Sequence, residues 1–241
     1  MSYNGQKQLP QDSRFKEGET LNVWASSGLN MREKPDAKSA KRVAIPYGAE
    51  VSVLPNIGVK MPFEVEEFKG FTVKGYWLLV KYGNTEGFVF DGFLSRLPAP
   101  VPTEMDLAIE TYLETQIKRI GQEYDIQVYD DQTQKMRPVK PNEKYQDQQS
   151  YQYKVKYNFN LRYERKEEPG GRTITFILPN LTLFEGYLLV KEHFYDAEKD
   201  VFSFDKKGKT IIMKPKKEGE GCTYWIKQDG NKITITDFCG D

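Results

Sequence analysis

Cys222, Cys239 and the single histidine, His193, are the side chains of this 241-residue chain best suited to redox, nucleophilic or metal chemistry. One histidine and two widely separated cysteines do not make a zinc site, which needs four closely grouped ligands. His193 sits in Lys191-Glu192-His193-Phe194-Tyr195 and reads as an ordinary residue at the end of a strand. Carboxylates are plentiful. Glu110 and Glu114 are spaced to share one face of a helix, and Glu66-Glu67 are adjacent, but nothing in their spacing marks a glycosidase pair. The chain contains no glycine-rich phosphate loop and no G-x-S-x-G elbow. The expectation is therefore a protein with no catalytic set, no metal site and no cofactor.

The cysteines carry a geometric argument of their own. If Gly230-Asn231 is a two-residue turn, facing positions of the hairpin sum to 461 (230 + 231). Cys222 and Cys239 have the same sum, so they face each other. With Asp229/Lys232 as a hydrogen-bonded pair, the cysteines fall on a non-hydrogen-bonded rung, where Cα atoms stand about 4.5 Å apart. That separation is at the short end of what a disulfide accepts. Both a disulfide and two reduced, packed thiols satisfy this placement. A disulfide would favour an oxidising compartment such as a periplasm.

These residues must be held by a β-rich scaffold. Aromatics make up 13% of the chain and charged residues 29%. Aromatic side chains suit the half-buried faces of sheets. Lys plus Arg equals Asp plus Glu at 35 each, so no global field recruits a polyanion and nucleic acid is not an expected partner. No apolar run is long enough for a membrane-spanning helix. Residues 1–20 are polar, without the apolar stretch of a secretory leader, and read as an arm.

Three ordered pieces lie between residues 21 and 98. Leu21-Asn22-Val23-Trp24-Ala25 precedes Leu29-Asn30-Met31-Arg32-Glu33-Lys34-Pro35, a strand with alternating faces that runs into a proline turn. Ala40-Lys41-Arg42-Val43-Ala44-Ile45-Pro46-Tyr47-Gly48-Ala49-Glu50-Val51-Ser52-Val53-Leu54 gives two strands about a glycine turn. Gly75-Tyr76-Trp77-Leu78-Leu79-Val80-Lys81-Tyr82, Gly83-Asn84-Thr85-Glu86-Gly87-Phe88-Val89 and Phe93-Leu94 give a hairpin and its exit. In this order the pieces resemble the bacterial SH3 (SH3b) domain, with its L-N-V-R-x-x-P opening and W-x-x-V-x-Y, G-x-x-G-W-V ending. Phe88 stands where the family more often has Trp, and Phe93 where it often has Tyr. Residues 55–74 form an insertion relative to the family. Phe63/Val65 and Phe71/Val73 flank a polar centre at Lys69-Gly70, the pattern of an extra hairpin: an elongated loop folded back on its own domain, or a binding flap.

The resemblance implies an all-β SH3-like barrel that binds rather than catalyses. SH3b domains often accompany cysteine peptidases in which the catalytic Cys precedes its His, but here His193 precedes both cysteines. Candidate ligand contacts are the rim aromatics Tyr47, Tyr76, Tyr82 and Phe90, with Phe63 and Phe68 of the insertion; Trp77 reads as core.

Alternating prolines in Pro98-Ala99-Pro100-Val101-Pro102 make residues 99–102 a semi-rigid linker. Residues 103–241 then read as an α+β domain of no recognised family. Thr103 caps a helix with apolar residues at Met105, Ile109, Tyr112, Leu113, Ile117 and Ile120, ended by Gly121. Odd positions from Tyr151 to Tyr163 are all apolar or aromatic, which predicts one long strand. Shorter strands are expected at Ile126–Tyr129, Thr173–Leu178, Leu181–Lys191, Val201–Phe204, Lys209–Met213, Thr223–Lys227 and Lys232–Phe238. Lys206, Lys207, Lys209, Lys214, Lys216 and Lys217 form a basic rim that protects a sheet edge or contacts an anionic polymer.

The function these features imply is non-catalytic binding at the bacterial cell envelope, with the SH3b-like part contacting peptidoglycan, a wall peptide or a partner protein. The alternative is an intracellular scaffold or regulatory protein with two protein-binding domains. A hydrolase housed in residues 103–241 is the least favoured reading.

Overall fold

The computed structural model describes residues 14–55, 61–100, 112, 123–130, 133–140, 152–157, 162–168, 170–194, 199–217 and 221–240. The chain divides into two compact units, one of residues 1–67 and 72–101, the other of residues 68–71 and 102–241.

The first unit is built on strands β1 (Thr20–Val23), β2 (Leu29–Arg32), β3 (Lys41–Ile45), β4 (Glu50–Val53), β5 (Pro62–Phe68), β6 (Phe71–Tyr82), β7 (Thr85–Phe90) and β8 (Leu94–Ser95). Their pairing order is β3-β2-β7-β6-β4-β1-β8, and β5 pairs with β6 off this path. Alternation decides which side chains go inside. Leu21 and Val23 of β1, Met31 of β2, Val51 of β4, Val80 of β6 and Val89 of β7 meet in one core, each removed from water on one face of its strand. Trp24 is also buried, and its Nε1–H donates to the Leu97 carbonyl at 2.9 Å, the partner that a buried indole requires.

The second unit holds β9 (Glu123–Asp130), β10 (Lys135–Pro138), β11 (Gln152–Tyr157), β12 (Arg162–Glu168), β13 (Gly171–Pro179), β14 (Asp200–Asp205), β15 (Thr210–Pro215), β16 (Cys222–Asp229) and β17 (Lys232–Gly240). They form one antiparallel sheet, β10-β9-β11-β12-β13-β17-β16-β15-β14. Helix α1 (Leu183–Phe194) lies between β13 and β14 in the chain and packs on β15, β16 and β17. Ile211, Met213, Ile226, Ile233 and Ile235 form the face beneath it. Gly186 permits the close approach, because a Cβ there would stand 2.7 Å from Ile226 Cγ2 and 2.8 Å from Ile233 Cγ2.

These findings correct the expected fold class, an SH3-like barrel followed by an α+β domain with an N-terminal helix. The chain is mostly β. In the first unit the strand order is a linear path with β3 and β8 at its two ends, and the insertion adds β5 outside that order. In the second, the helix that covers the sheet is Leu183–Phe194, overlapping most of the run Leu181–Lys191 that pattern alone reads as a strand. The helix expected over Thr103–Gly121 lies outside the described residues except for Tyr112.

The reason α1 is helical is local. Thr182 and Glu185 form a capping box: Thr182 N–H and Oγ1–H both donate to Glu185 Oε2 at 2.8 Å, and Glu185 N–H donates to Thr182 Oγ1 at 3.2 Å. Donors that a helix start leaves open are thereby satisfied. The residues that follow are apolar on nearly every side, and Leu183 through Val190 are buried, including the capping Glu185. A helix buried all round has no amphipathic stripe to betray it.

The single strand expected over Tyr151–Tyr163 is also corrected, since Gln152–Tyr157 and Arg162–Glu168 are two paired strands. Their facing positions, Gln152↔Lys166 through Lys156↔Arg162, sum to 318. An even sum pairs odd positions with odd, so the alternation passes through the reversal without a phase slip. Residues 123–138, expected to hold only a short strand, instead supply β9 and β10.

Candidate functional site

The pairing of β6 with β7 runs from Tyr82↔Thr85 to Trp77↔Phe90. Beyond it the chain leaves β7 in a single 3-10 turn, Asp91–Phe93, and the next strand-facing donor of β6 is the Tyr76 N–H. Asp91 Oδ1 accepts it at 2.7 Å, standing in for the missing ladder residue. On its other side β6 pairs with β5, and Trp77 N–H donates at 3.1 Å to the carbonyl of Met61, just before that strand.

Asp91 is only 5% exposed. Burial raises its carboxyl from the ordinary 3.8 to about 6, against the lowering effects of the Tyr76 N–H bond and the Arg14 charge. The space it occupies depends on Gly75, where a Cβ would fall 2.1 Å from Asp91 Oδ1. Four aromatic rings of the same unit form a chain of contacts. Phe63 lies 5.2 Å from Trp77 and 5.2 Å from Phe90, and Phe90 lies 5.2 Å edge-on from Phe93. The Tyr76 side chain, next to Trp77 in β6, is 36% exposed.

The six sequence-derived contact residues are therefore not one surface. Tyr76 is exposed and Phe63 half-buried on the aromatic stack, while Phe90 is buried at 3% and offers no ring to a ligand. Tyr47 is half-buried, and its hydroxyl donates to the Pro100 carbonyl at 2.6 Å, which seats the start of the proline segment. Tyr82 packs against the core of the first unit. Phe68 belongs to the second unit, where its ring stands 5.4 Å from Tyr187 and 5.8 Å from Phe202. Sequence reasoning missed Asp91 and Gly75. Each is unremarkable in its own segment, and only the fold brings them together across sixteen residues.

In the second unit, β16 and β17 run in register from Asp229↔Lys232 to Cys222↔Cys239. The two cysteines are joined in a disulfide with their Cα atoms 4.2 Å apart. Beside it Asp237 is buried, and its Oδ1 accepts the Ile174 N–H at 2.8 Å. Arg172 approaches both, with one guanidinium nitrogen 3.7 Å from Asp237 Oδ2 and 3.5 Å from Cys239 Sγ. Burial foremost, then the Asp237 charge, pushes the Tyr224 phenol upward. His193 lies in α1, not at a strand end.

Among the described residues no group of three or more His, Cys, Asp or Glu side chains is placed to hold a metal ion, and no helix is long and apolar enough to cross a membrane. No protein-family model, curated protein or solved structure matches the chain.

Proposed function

We propose that the chain is a non-catalytic binding protein of the bacterial cell envelope, and that its first unit binds a wall peptide or peptidoglycan through a surface centred on Tyr76. The observation that carries this reading is the exposed Tyr76 ring on a backbone fixed by Asp91. A rigid aromatic gives large contact area at small entropic cost, and its hydroxyl can meet the amides and sugar hydroxyls of such a polymer. The ordered resemblance of residues 21–98 to SH3b domains supports the same class of ligand. The Cys222–Cys239 bond supports an oxidising compartment over the intracellular alternative.

The test is cosedimentation of the full chain with purified sacculi, beside a control protein of similar size and charge. Retention above the control that falls on adding soluble wall peptides is the expected result. Equal retention of the two proteins would sink the proposal.

A further inference from the structure

We propose that the Cys222–Cys239 disulfide is a thiol-exchange site with a fixed polarity: an incoming low-molecular-weight thiolate bonds to Cys222, and Cys239 leaves. The observations lie wholly in the second unit and do not depend on the wall-binding reading. Both cysteines are half-buried, not sealed in the core, and Cys222 follows the exposed Gly221, which presents no side chain to an approaching thiol.

The two sulfurs differ in their electrostatic surroundings. Arg172 faces Cys239 across β13 and β17, and its guanidinium donates to Cys239 Sγ at 3.5 Å. Among the described residues Cys222 receives no such donor. Arg172 is held there by Asp237, whose Oδ2 is 3.7 Å from the same nitrogen. The Asp237 charge opposes a thiolate on Cys239, but it is already engaged by the guanidinium and by the Ile174 N–H. Among the described residues the buried Arg172 Nε has no hydrogen-bond partner, so not all of the guanidinium's donors are engaged. A cation beside a sulfur lowers its thiol pKa, and the sulfur of lower pKa is the better leaving group.

The step balances as follows. A thiolate RS⁻ attacks Cys222 Sγ; the RS–Sγ bond forms as the Sγ–Sγ bond breaks, and the electron pair departs on Cys239 Sγ beside Arg172. A second RS⁻ attacks the RS sulfur of the mixed disulfide, releasing Cys222 as thiolate and RSSR. The two protons lost by the thiols are available to the two cysteines. Two thiols are thus oxidised while the protein disulfide gains two electrons.

The experiment treats the oxidised, native full chain with a limiting amount of reduced glutathione. The reaction is quenched with N-ethylmaleimide, and the glutathionylated cysteine is located by peptide mass spectrometry. The expected result is glutathione on Cys222 and maleimide on Cys239, in excess by roughly fivefold or more. Arg172→Gln should bring the two positions close to parity, and Arg172→Lys should keep much of the excess. An even split or a Cys239 excess in the wild type would overturn the proposal, as would a ratio unchanged in Arg172→Gln. Absence of exchange in native protein that exchanges fully in urea would overturn it too. Should Arg172→Gln fail to fold, alkylation of reduced wild-type protein decides the matter. Cys239 must then react half-maximally at a lower pH than Cys222, and the reverse order contradicts the polarity.

Discussion

Among the described residues Asp91 is a carboxylate with one side-chain hydrogen bond to show for its burial. Its native pKa of about 6 stands above the ordinary 3.8, so between those values the folded chain binds a proton that the unfolded chain has released. Stability therefore falls as pH rises through that window, and the full cost is present above it. The size is about 3 kcal/mol, from the span of the two pKa values at 1.36 kcal/mol per unit. Asp91→Asn keeps an oxygen acceptor for the Tyr76 N–H and removes the charge. Urea titrations should show the variant gaining on the wild type from pH 4 to 7, with the two alike near pH 4. A difference that does not change with pH would contradict this account of Asp91. Nothing in the local sequence Phe90-Asp91-Gly92-Phe93 announces a buried acid, because its burial depends on the bare backbone of Gly75 on another strand.

Two elements respond to substitution for different reasons. Thr182→Ala removes the side-chain half of the α1 capping box and should cost about 1 kcal/mol in denaturant unfolding. Cys222→Ser with Cys239→Ser releases a cross-link of sequence separation 17, which in the chain-entropy account contributes about 3 kcal/mol; a calorimetric melt of the double variant measures it. The elements also show where sequence patterns carry and where they fail. The last hairpin was legible because Gly230-Asn231 centres a register that runs unbroken to the cysteines. Helix α1 was not, since Leu183 to Val190 bury every side and leave no period for pattern to detect; the usable signal was Thr182-Leu183-Phe184-Glu185, a capping box in plain sequence. The even register of β11 and β12 concealed a reversal in the same way, by preserving the alternation across it. Tyr124, Ile126 and Val128 do alternate in β9, but their polar neighbourhood masks a strand that pairs with two others.

At the scale of the whole molecule, the first unit carries the wall-binding reading and the second carries the exchangeable disulfide. Of the candidate contact aromatics singled out from sequence, Tyr76 is the most exposed among the described residues, because Trp77 turns inward beside it and Asp91 fixes the backbone between them. Binding is therefore expected to concentrate on a single ring. The measurement that tests this most directly is the affinity of the full chain for purified sacculi, wild type against Tyr76→Ala, with far-UV circular dichroism and melts verifying that both are folded. The account predicts saturable binding by the wild type and a loss of roughly tenfold in Tyr76→Ala. Equal affinity of the two proteins, or no saturable binding by either, would contradict it.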